Sequence, residues 1–331
     1  MEKKTRWGIL ATGGIARLFT RDLVAHGHAV TAIASRDAAK ARAFADEFGV
    51  ARSHGSYEAL AEDPEVDAIY VATPHPMHAD NAKLALNAGK HVLVEKSFTL
   101  NAAEAREVAD LAEAKGLVAL EAMWTRFLPH MVRIREILTS GALGTIRSMS
   151  ADHTQALPSD PEHRLNAMAL GGGSLLDLGI YPVSFIWDVL GAPELRHVEA
   201  TFGPTGADRQ LVTVFTHAGG AMSTALMSLD TAGPNRAQIL GTDARIEIDG
   251  VWYTPTSFRV VNRKKEVVEE YVSEVSGRGM QYQAAELERL VEAGLTAGEI
   301  LPPSESVEIM GTLDAIRERI GLRYPMETGG A

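Results

Sequence analysis

The sequence contains no cysteine among its 331 residues. This absence excludes disulfide bonds, thiolate nucleophiles and cysteine-ligated metal sites, and it is typical of a protein from a reducing compartment. The sequence also lacks excess positive charge. A net charge of −11 argues against nucleic acid or an acidic membrane surface as a partner, because like charges repel.

Long apolar runs are also missing. We find no stretch of the roughly 18 apolar residues needed to span a bilayer, and the charged N-terminus lacks the apolar core of a signal peptide. We therefore expect a cytoplasmic protein with no membrane partner.

The length predicts two domains, since a single domain usually has about 100–200 residues. In residues 1–123, apolar strand segments alternate with helical segments, which predicts a doubly wound parallel α/β sheet. In residues 124–331, short segments with period-two alternation predict a second α/β domain with an open, mainly antiparallel sheet. Helices suffice to cover one face of that sheet, so we expect the other face to pair with a second copy in a homodimer.

The first strand, Arg6–Leu10, runs into a glycine-containing turn and then a helical segment. The turn reads Ala11, Thr12, Gly13, Gly14 and Ile15. It matches the dinucleotide fingerprint G-x-G-x-x-G/A except that Ala11 replaces the first glycine. Backbone N–H groups at a helix N-terminus bind pyrophosphate, so we expect these residues to hold a dinucleotide. An ordinary β-α turn is the alternative.

The second strand ends at Ser35 and Arg36, where NAD-binding proteins usually have an acidic residue for the ribose. A hydroxyl and a guanidinium suit a 2′-phosphate instead, which favours NADP over NAD. Asp37 is the alternative ribose ligand. Its position before a helical segment indicates a helix cap.

The later strand ends carry further candidates. One loop contains Thr73, Pro74, His75 and His78, and the next strand ends in Glu95 and Lys96. A zinc site would need a third ligand that the sequence does not supply, so we expect no metal. Lys96 is a candidate to act on a substrate hydroxyl, with a surface Glu–Lys pair as the alternative.

In the second half, the segment Gly171–Pro182 places Asp177 and Tyr181 four residues apart, on one face of a helix that Ser174 would cap. A carboxylate and a phenol there could hold and deprotonate a hydroxyl, with Arg164 supplying positive charge. The alternative is a capped core helix with one buried aspartate. Trp124, Arg126 and Phe127 are candidate substrate contacts, and core packing is the alternative for the two rings.

Together these motifs resemble the GFO/IDH/MocA oxidoreductase family over essentially the whole chain. The resemblance rests on the opening turn, on Thr73-Pro74 with His78, on Glu95-Lys96 and on Gly171–Tyr181. Three further segments are similar to the branch with dimeric dihydrodiol dehydrogenases and NADP-dependent D-xylose dehydrogenases: Gly55–Glu58, Glu121–Phe127 and Gly277–Tyr282. Apart from Ala11, the chain departs from the family pattern at Ser97, where proline usually follows Glu-Lys.

The resemblance implies a Rossmann domain followed by a substrate and dimerisation domain. It also implies catalytic roles for Lys96, Asp177 and Tyr181, and a cofactor-binding role for Thr73, Pro74, His78, Glu95 and Lys96. We expect hydride transfer between NADP and a carbinol carbon of a sugar or cyclic diol. Two alternatives remain open: an inositol dehydrogenase or anhydro-sugar ketone reductase of the same family, and a non-enzymatic NADP-binding sensor.

Overall fold

Strands alternate with helices in the first unit of the computed structural model and form a six-stranded parallel sheet. The structure describes residues 4–327. The strands are β1 (Arg6–Leu10), β2 (Ala29–Ala34), β3 (Arg52–His54), β4 (Ala68–Val71), β5 (His91–Glu95) and β6 (Ala119–Ala122). The helices are α1 (Gly14–Ala25), α2 (Ala38–Phe48), α3 (Tyr57–Ala61), α4 (His78–Asn87) and α5 (Ala102–Lys115). The sheet order is β3-β2-β1-β4-β5-β6, so the strand progression reverses between β1 and β4, the point where such sheets bind ligands.

The inner strands of this sheet are buried. Ile9, Ile33, Tyr70 and Val92, one on each of four neighbouring strands, have no exposed surface. Strands covered by helices on both faces read as continuous apolar runs rather than as alternating patterns. For this reason the sequence pattern predicts the fold class of the unit correctly.

The second unit is built on an eight-stranded sheet. It has helices α6 (Pro129–Thr139) and α7 (Ile180–Leu190) and strands β7 (Ile146–Thr154), β8 (Glu194–Phe202), β9 (Asp208–Thr216), β10 (Met222–Ser228), β11 (Ala237–Gly241), β12 (Ala244–Ile248), β13 (Phe258–Asn262) and β14 (Val267–Tyr271). The sheet order is β14-β13-β12-β11-β7-β10-β9-β8. β7 and β10 pair in parallel and the other neighbours pair antiparallel, which confirms the predicted mainly antiparallel sheet. α7 packs on β7 and β10.

The division of the chain differs from the predicted one. The first unit extends to Trp124 and also includes Gly277–Met310, so the second unit is not one continuous segment. The returning segment contains α8 (Gln281–Ala293) and the first part of α9 (Pro303–Ile320). Polar contacts fix it: Trp7 Nε1 donates to Glu288 Oε1 at 2.7 Å, and the Met280 N–H donates to Asp22 Oδ2 at 3.0 Å. These partners lie more than 250 residues apart in sequence, and local patterns carry no sign of them.

One apolar segment is longer than expected from the sequence. Met168–Leu190 is long and apolar enough to cross a membrane by length and composition, and the statement that no such run exists is therefore wrong. However, 89% of its most apolar window is buried inside the protein. A segment of this kind is a core helix, because its apolar side chains already have partners.

The turn after β1 contains an unusual backbone conformation. Ala11 has φ +89°, and its N–H donates to the carbonyl oxygen of Ala34 at 3.0 Å. A Cβ atom in this region meets the backbone, which costs an L-residue about 1–2 kcal/mol, whereas glycine adopts it without strain. The replacement of the first fingerprint glycine by Ala11 therefore places an alanine in a backbone conformation that favours glycine.

We expect Ala11→Gly to stabilise the protein. The relief of about 1–2 kcal/mol of strain exceeds the cost of about 0.4–1 kcal/mol that glycine adds through the flexibility of the unfolded chain. The free energy of unfolding should therefore rise by about 0.5–1 kcal/mol. Urea denaturation followed by circular dichroism measures the change.

Ala43→Gly is the matched control, because Ala43 is an exposed residue in the middle of α2. Glycine in an exposed helix interior costs about 1 kcal/mol relative to alanine. If Ala11→Gly lowered the free energy of unfolding as much as Ala43→Gly does, the result would contradict a positive φ angle at Ala11.

Candidate functional site

The N-terminus of α1 is shaped to receive a group from outside the chain. Gly13 is the N-cap residue with φ −74°, and no side chain caps the helix. A Cβ atom built on Gly13 or on Gly14 would meet nothing within 4 Å, so neither packing nor backbone conformation requires glycine here. The N–H groups of the first helical turn, such as that of Ile15, have no intrahelical partner in any α-helix. The open space and these donors fit the pyrophosphate of a dinucleotide, beside the turn formed by Ala11 and Thr12.

The end of β2 supplies a free cation. Arg36 is exposed and makes no hydrogen bond or ion pair within residues 4–327. Ser35 Oγ accepts a hydrogen bond from the Asp37 N–H at 3.2 Å. Asp37 Oδ1 in turn accepts from the Ala39 N–H at 2.9 Å, so Asp37 is the cap of α2, as its position indicated. The arrangement engages the Asp37 carboxylate in the cap of α2 and leaves the Arg36 guanidinium available for a phosphate.

His78 joins the loops that follow β4 and β5. Its side chain is buried, with Nε2 2.7 Å from the Thr73 carbonyl oxygen and Nδ1 2.8 Å from the Ser97 carbonyl oxygen. Burial lowers the pKa of His78, and the positive charge of Lys96 acts in the same direction. Both ring nitrogens face the protein itself. In this structure His78 fixes the loops that carry Thr73 and Lys96, and the direct cofactor contact expected for its side chain stays a prediction.

Lys96 lies at the carboxyl end of β5, where its side chain is partly exposed. The peptide bond between Lys96 and Ser97 is cis. The preceding residue, Glu95, points the other way into the core. It is 4% exposed, and one of its carboxylate oxygens accepts a hydrogen bond from the Tyr70 hydroxyl. Its expected cofactor contact stays a prediction.

A second buried carboxylate fixes the loop that follows Lys96. Glu121 Oε1 accepts from the Phe98 N–H at 3.0 Å, and Oε2 accepts from Ser306 Oγ at 2.8 Å. Glu121 is 1% exposed. The loop is therefore held from β6 through Glu121 and from α4 through His78.

In the second unit, Asp177 and Tyr181 lie on consecutive turns. Asp177 belongs to a π-helical turn, Leu175–Gly179, and Tyr181 is the second residue of α7. The wider π turn, with hydrogen bonds from residue i to i+5, aligns residues four or five apart, and such turns are frequent at functional sites. Arg164 Nη1 lies 3.1 Å from Asp177 Oδ1. Arg164 therefore supplies positive charge near this carboxylate, as the sequence predicted.

A residue that the sequence analysis did not identify caps this helix. Asp208 has no exposed surface, and its Oδ2 accepts from Ser174 Oγ and from the Leu175 N–H, both at 2.7 Å. The expectation that Ser174 caps the helix is wrong, because its hydroxyl donates to Asp208 instead. Burial raises the pKa of Asp208. Gly173, with φ +138°, makes room for the carboxylate, since a Cβ atom there would lie 2.0 Å from Asp208 Oδ1.

Aromatic and polar side chains surround Tyr181. The ring centroids of His153 and Tyr253 lie 4.8 and 5.2 Å from that of Tyr181, and they stack on each other at 3.8 Å. Gln155 Nε2 lies 2.8 Å from His153 Nε2 and 3.2 Å from the Tyr253 hydroxyl oxygen. The sequence analysis did not identify these three residues. The period-two pattern of β7 was the available signal, because it places residues 153 and 155 on one face.

The structure places Arg126 in the core, and its expected role as a substrate contact stays a prediction. Its side chain is 3% exposed and forms an ion pair with Asp188 at 2.9 Å. Nε donates to Ser184 Oγ at 3.0 Å, and Nη2 donates to the Ser184 carbonyl oxygen at 2.8 Å. Arginine at an irregular turn is usually exposed, whereas here a buried carboxylate on α7 compensates its charge.

Trp124 and Phe127 are also buried, with exposures of 2% and 4%. The guanidinium of Arg278 lies over the Trp124 ring at 5.1 Å from its centroid. The structure thus gives both rings the packing role that was the alternative to substrate contact. From the sequence alone, an aromatic residue that packs in the core cannot be distinguished from one that lines a substrate pocket.

Comparisons with known proteins agree with the two units of the fold described above. Residues 5–122 match the model of the oxidoreductase family with an NAD-binding Rossmann fold, and residues 131–247 match the GFO/IDH/MocA C-terminal domain. The chain is 35% identical to trans-1,2-dihydrobenzene-1,2-diol dehydrogenase of Mus musculus, over 97% of this chain and 98% of that one. It is 34% identical to D-xylose 1-dehydrogenase (NADP(+)) of Hypocrea jecorina, over 97% and 93%.

A solved structure shows the same architecture. The 3-ketoreductase of Actinomadura kijaniata, crystallised with NADP and TDP-benzene, superposes with a TM-score of 0.86 at 26% identity, over 96% of this chain and 98% of that one. Both family models match, and the relatives cover nearly the whole chain. The resemblance seen in the motifs is thereby confirmed, and the protein belongs to the GFO/IDH/MocA family of oxidoreductases.

Proposed function

We propose that this protein is an NADP-dependent dehydrogenase that oxidises a carbinol carbon of a sugar or cyclic diol, or reduces the corresponding carbonyl. The observation that carries the proposal is the pairing of Asp177 with Arg164 one turn before Tyr181, on a helix start fixed by Asp208. A carboxylate of fixed orientation and a phenol on consecutive turns can bind one hydroxyl group and move its proton. The two relatives described above act on a cyclic diol and on an aldose, as their names state.

The bound nicotinamide supplies the hydride acceptor or donor. In the oxidation direction, Asp177 orients the substrate as acceptor of a hydrogen bond from a hydroxyl neighbouring the reacting one. Tyr181, as the phenolate, takes the proton of the reacting hydroxyl and becomes the phenol, and the ammonium of Lys96 stabilises the phenolate and the negative charge that develops on the substrate oxygen. Proton transfer by a positioned side chain contributes about 10²–10⁴-fold to the rate.

The free guanidinium of Arg36 supports NADP as the cofactor. Arginine binds phosphate through two parallel charge-assisted hydrogen bonds, and Arg36 has no competing carboxylate because Asp37 caps α2. The 3-ketoreductase with the same fold was crystallised with NADP.

The uncovered face of the second sheet supports a homodimer. Val212, Met222 and Leu226 lie on alternate positions of β9 and β10 and are 39%, 55% and 37% exposed. Val212 and Leu226 are directly paired across the two strands. Exposed apolar side chains on an uncovered sheet face favour self-association, so we propose that two copies pair through this face.

We expect Lys96→Ala and Tyr181→Phe each to lower kcat by about 10²-fold or more, because each removes a group that stabilises or transfers charge in the reaction. Affinity for NADPH, measured by nicotinamide fluorescence, should change by less than about threefold in Tyr181→Phe. Steady-state absorbance of the nicotinamide at saturating substrate measures kcat.

Lys115→Ala and Tyr57→Phe make the same chemical changes elsewhere in the first unit, at the end of α5 and the start of α3. They should retain wild-type turnover. Near-normal kcat in both Lys96→Ala and Tyr181→Phe, with cofactor bound, would refute the assigned roles.

Arg36→Ala should raise KM for NADP⁺ by about 10–100-fold and leave KM for NAD⁺ within about threefold, since a hydrogen bond to a charged group contributes about 1.5–3 kcal/mol. Arg42→Ala is the control, because Arg42 is an exposed arginine on α2 that pairs with Asp46. An equal effect of Arg36→Ala on both cofactors would argue against 2′-phosphate recognition.

Leu226→Lys should convert the expected dimer into a monomer, because it places a charge among the exposed apolar side chains of the uncovered sheet face. Sedimentation velocity at micromolar concentration distinguishes the two states. Leu295→Lys, at a residue that is 48% exposed outside this sheet, should leave the mass unchanged. A wild-type protein that sediments as a monomer would refute the proposed dimer.

A further inference from the structure

The amide of Gln155 is oriented by the two rings that it joins. An amide nitrogen donates and cannot accept, so Gln155 Nε2 gives one hydrogen to His153 Nε2 at 2.8 Å and the other to the Tyr253 hydroxyl oxygen at 3.2 Å. Both hydrogens are then used. The amide oxygen, Oε1, makes no hydrogen bond within residues 4–327, and the side chain is partly exposed. The geometry therefore fixes Gln155 as a hydrogen-bond acceptor toward whatever lies beside this cluster.

The backbone under Gln155 is held as firmly as the side chain. The Gln155 N–H donates to the Ser228 carbonyl oxygen at 2.9 Å, and the Leu157 N–H donates to the Leu229 carbonyl oxygen at 2.9 Å. The segment thus continues alongside β10 beyond the end of β7. Since side chains alternate along a strand, Gln155 follows His153 on the face that α7 covers.

This face also bears the candidate catalytic phenol. The ring of Tyr181 contacts both rings that the amide joins, at centroid distances of 4.8 Å to His153 and 5.2 Å to Tyr253. A substrate whose reacting hydroxyl meets Tyr181 therefore has its remaining groups within reach of polar atoms from a preorganised cluster.

We propose that Gln155, oriented by His153 and Tyr253, is a specificity-determining residue that accepts a hydrogen bond from a second hydroxyl of the substrate. The preferred substrate class is then a polyhydroxylated one, an aldose, rather than a cyclic diol with an apolar ring. The inference rests on the proposed function and decides between its two substrate classes.

The physical reason is the cost of an unmatched acceptor. An amide oxygen that loses water on substrate binding and meets a C–H surface is left without a partner, and sites built to bind a hydroxyl discriminate strongly against analogues without it. An apolar ring beside Gln155 would leave Oε1 without a hydrogen-bond partner. A sugar hydroxyl in the position of that ring would donate a hydrogen bond to Oε1.

The test compares wild type with Gln155→Met, which keeps the length of the side chain and removes the acceptor. The substrates are D-xylose, each of its monodeoxy analogues and trans-cyclohexane-1,2-diol, with NADP⁺ at saturation. Glu113→Met is the control, because Glu113 is an exposed residue of α5 in the first unit and the change also replaces a polar side chain by methionine.

For wild type we expect kcat/KM for D-xylose to exceed that for at least one monodeoxy analogue by about tenfold or more. In Gln155→Met this ratio should fall below about threefold, and kcat/KM for the cyclic diol should rise, because the unmatched acceptor is removed; this rise also shows that the variant is folded. Glu113→Met should behave as wild type does.

Two results would overturn the inference and leave the proposed function intact: a wild-type preference for the cyclic diol, or an equal loss on all substrates in Gln155→Met. A wild-type protein that binds NADPH and turns over none of these substrates would refute the proposed function and this inference with it.

Discussion

A single buried carboxylate determines where the candidate chemistry of the second unit begins. Asp208 has no exposed surface, and a carboxylate in such a position is costly unless hydrogen-bond donors surround it. The start of a helix has the complementary problem, because its first N–H groups lack intrahelical partners. The Ser174 hydroxyl and the Leu175 N–H both donate to Asp208 Oδ2, which gives one helix N–H group a partner and partly compensates the buried carboxylate, whose Oδ1 has no hydrogen-bond partner within residues 4–327. Asp177 and Tyr181 follow within two turns, so their positions depend on this contact.

The first unit uses the same principle with different residues. The loop after β5 has irregular backbone, and its polar groups need partners that a sheet or helix would otherwise provide. Glu121 and His78 provide them from neighbouring elements and perform no chemistry themselves. In both units, the residues with expected reactivity lie on short irregular segments. Buried polar side chains that the chain supplies from elsewhere determine the shape of those segments.

The difference between local contacts and contacts from distant parts of the chain explains what the sequence could predict. Strand and helix alternation, the cap at Asp37 and the grouping of Asp177 with Arg164 depend on contacts between residues close in sequence, and short-range patterns predict them. The sequence also placed Lys96 correctly at a strand end, because the carboxyl ends of parallel strands share one edge of the sheet.

The features that the sequence did not reveal have a common cause as well. Arg126 has the composition of a surface residue, and only the arrival of Asp188 from another helix makes its burial possible. Asp208 has no local motif, since its partner Ser174 is distant in sequence; the period-two pattern places Gln155 on the same face as His153 and gives no sign of Tyr253. Long-range polar contacts of this kind leave little trace in a single sequence.

The return of residues 277–310 to the first unit has a consequence for how the chain can be divided. A polypeptide that stops at the first boundary would expose the carboxylate of Asp22, which the Arg278 and Met280 N–H groups otherwise cover, and would leave the indole N–H of Trp7 without Glu288. The nucleotide-binding unit is therefore not encoded by one continuous stretch of the chain. A gene fusion or domain exchange that retains it must include two separate stretches of coding sequence.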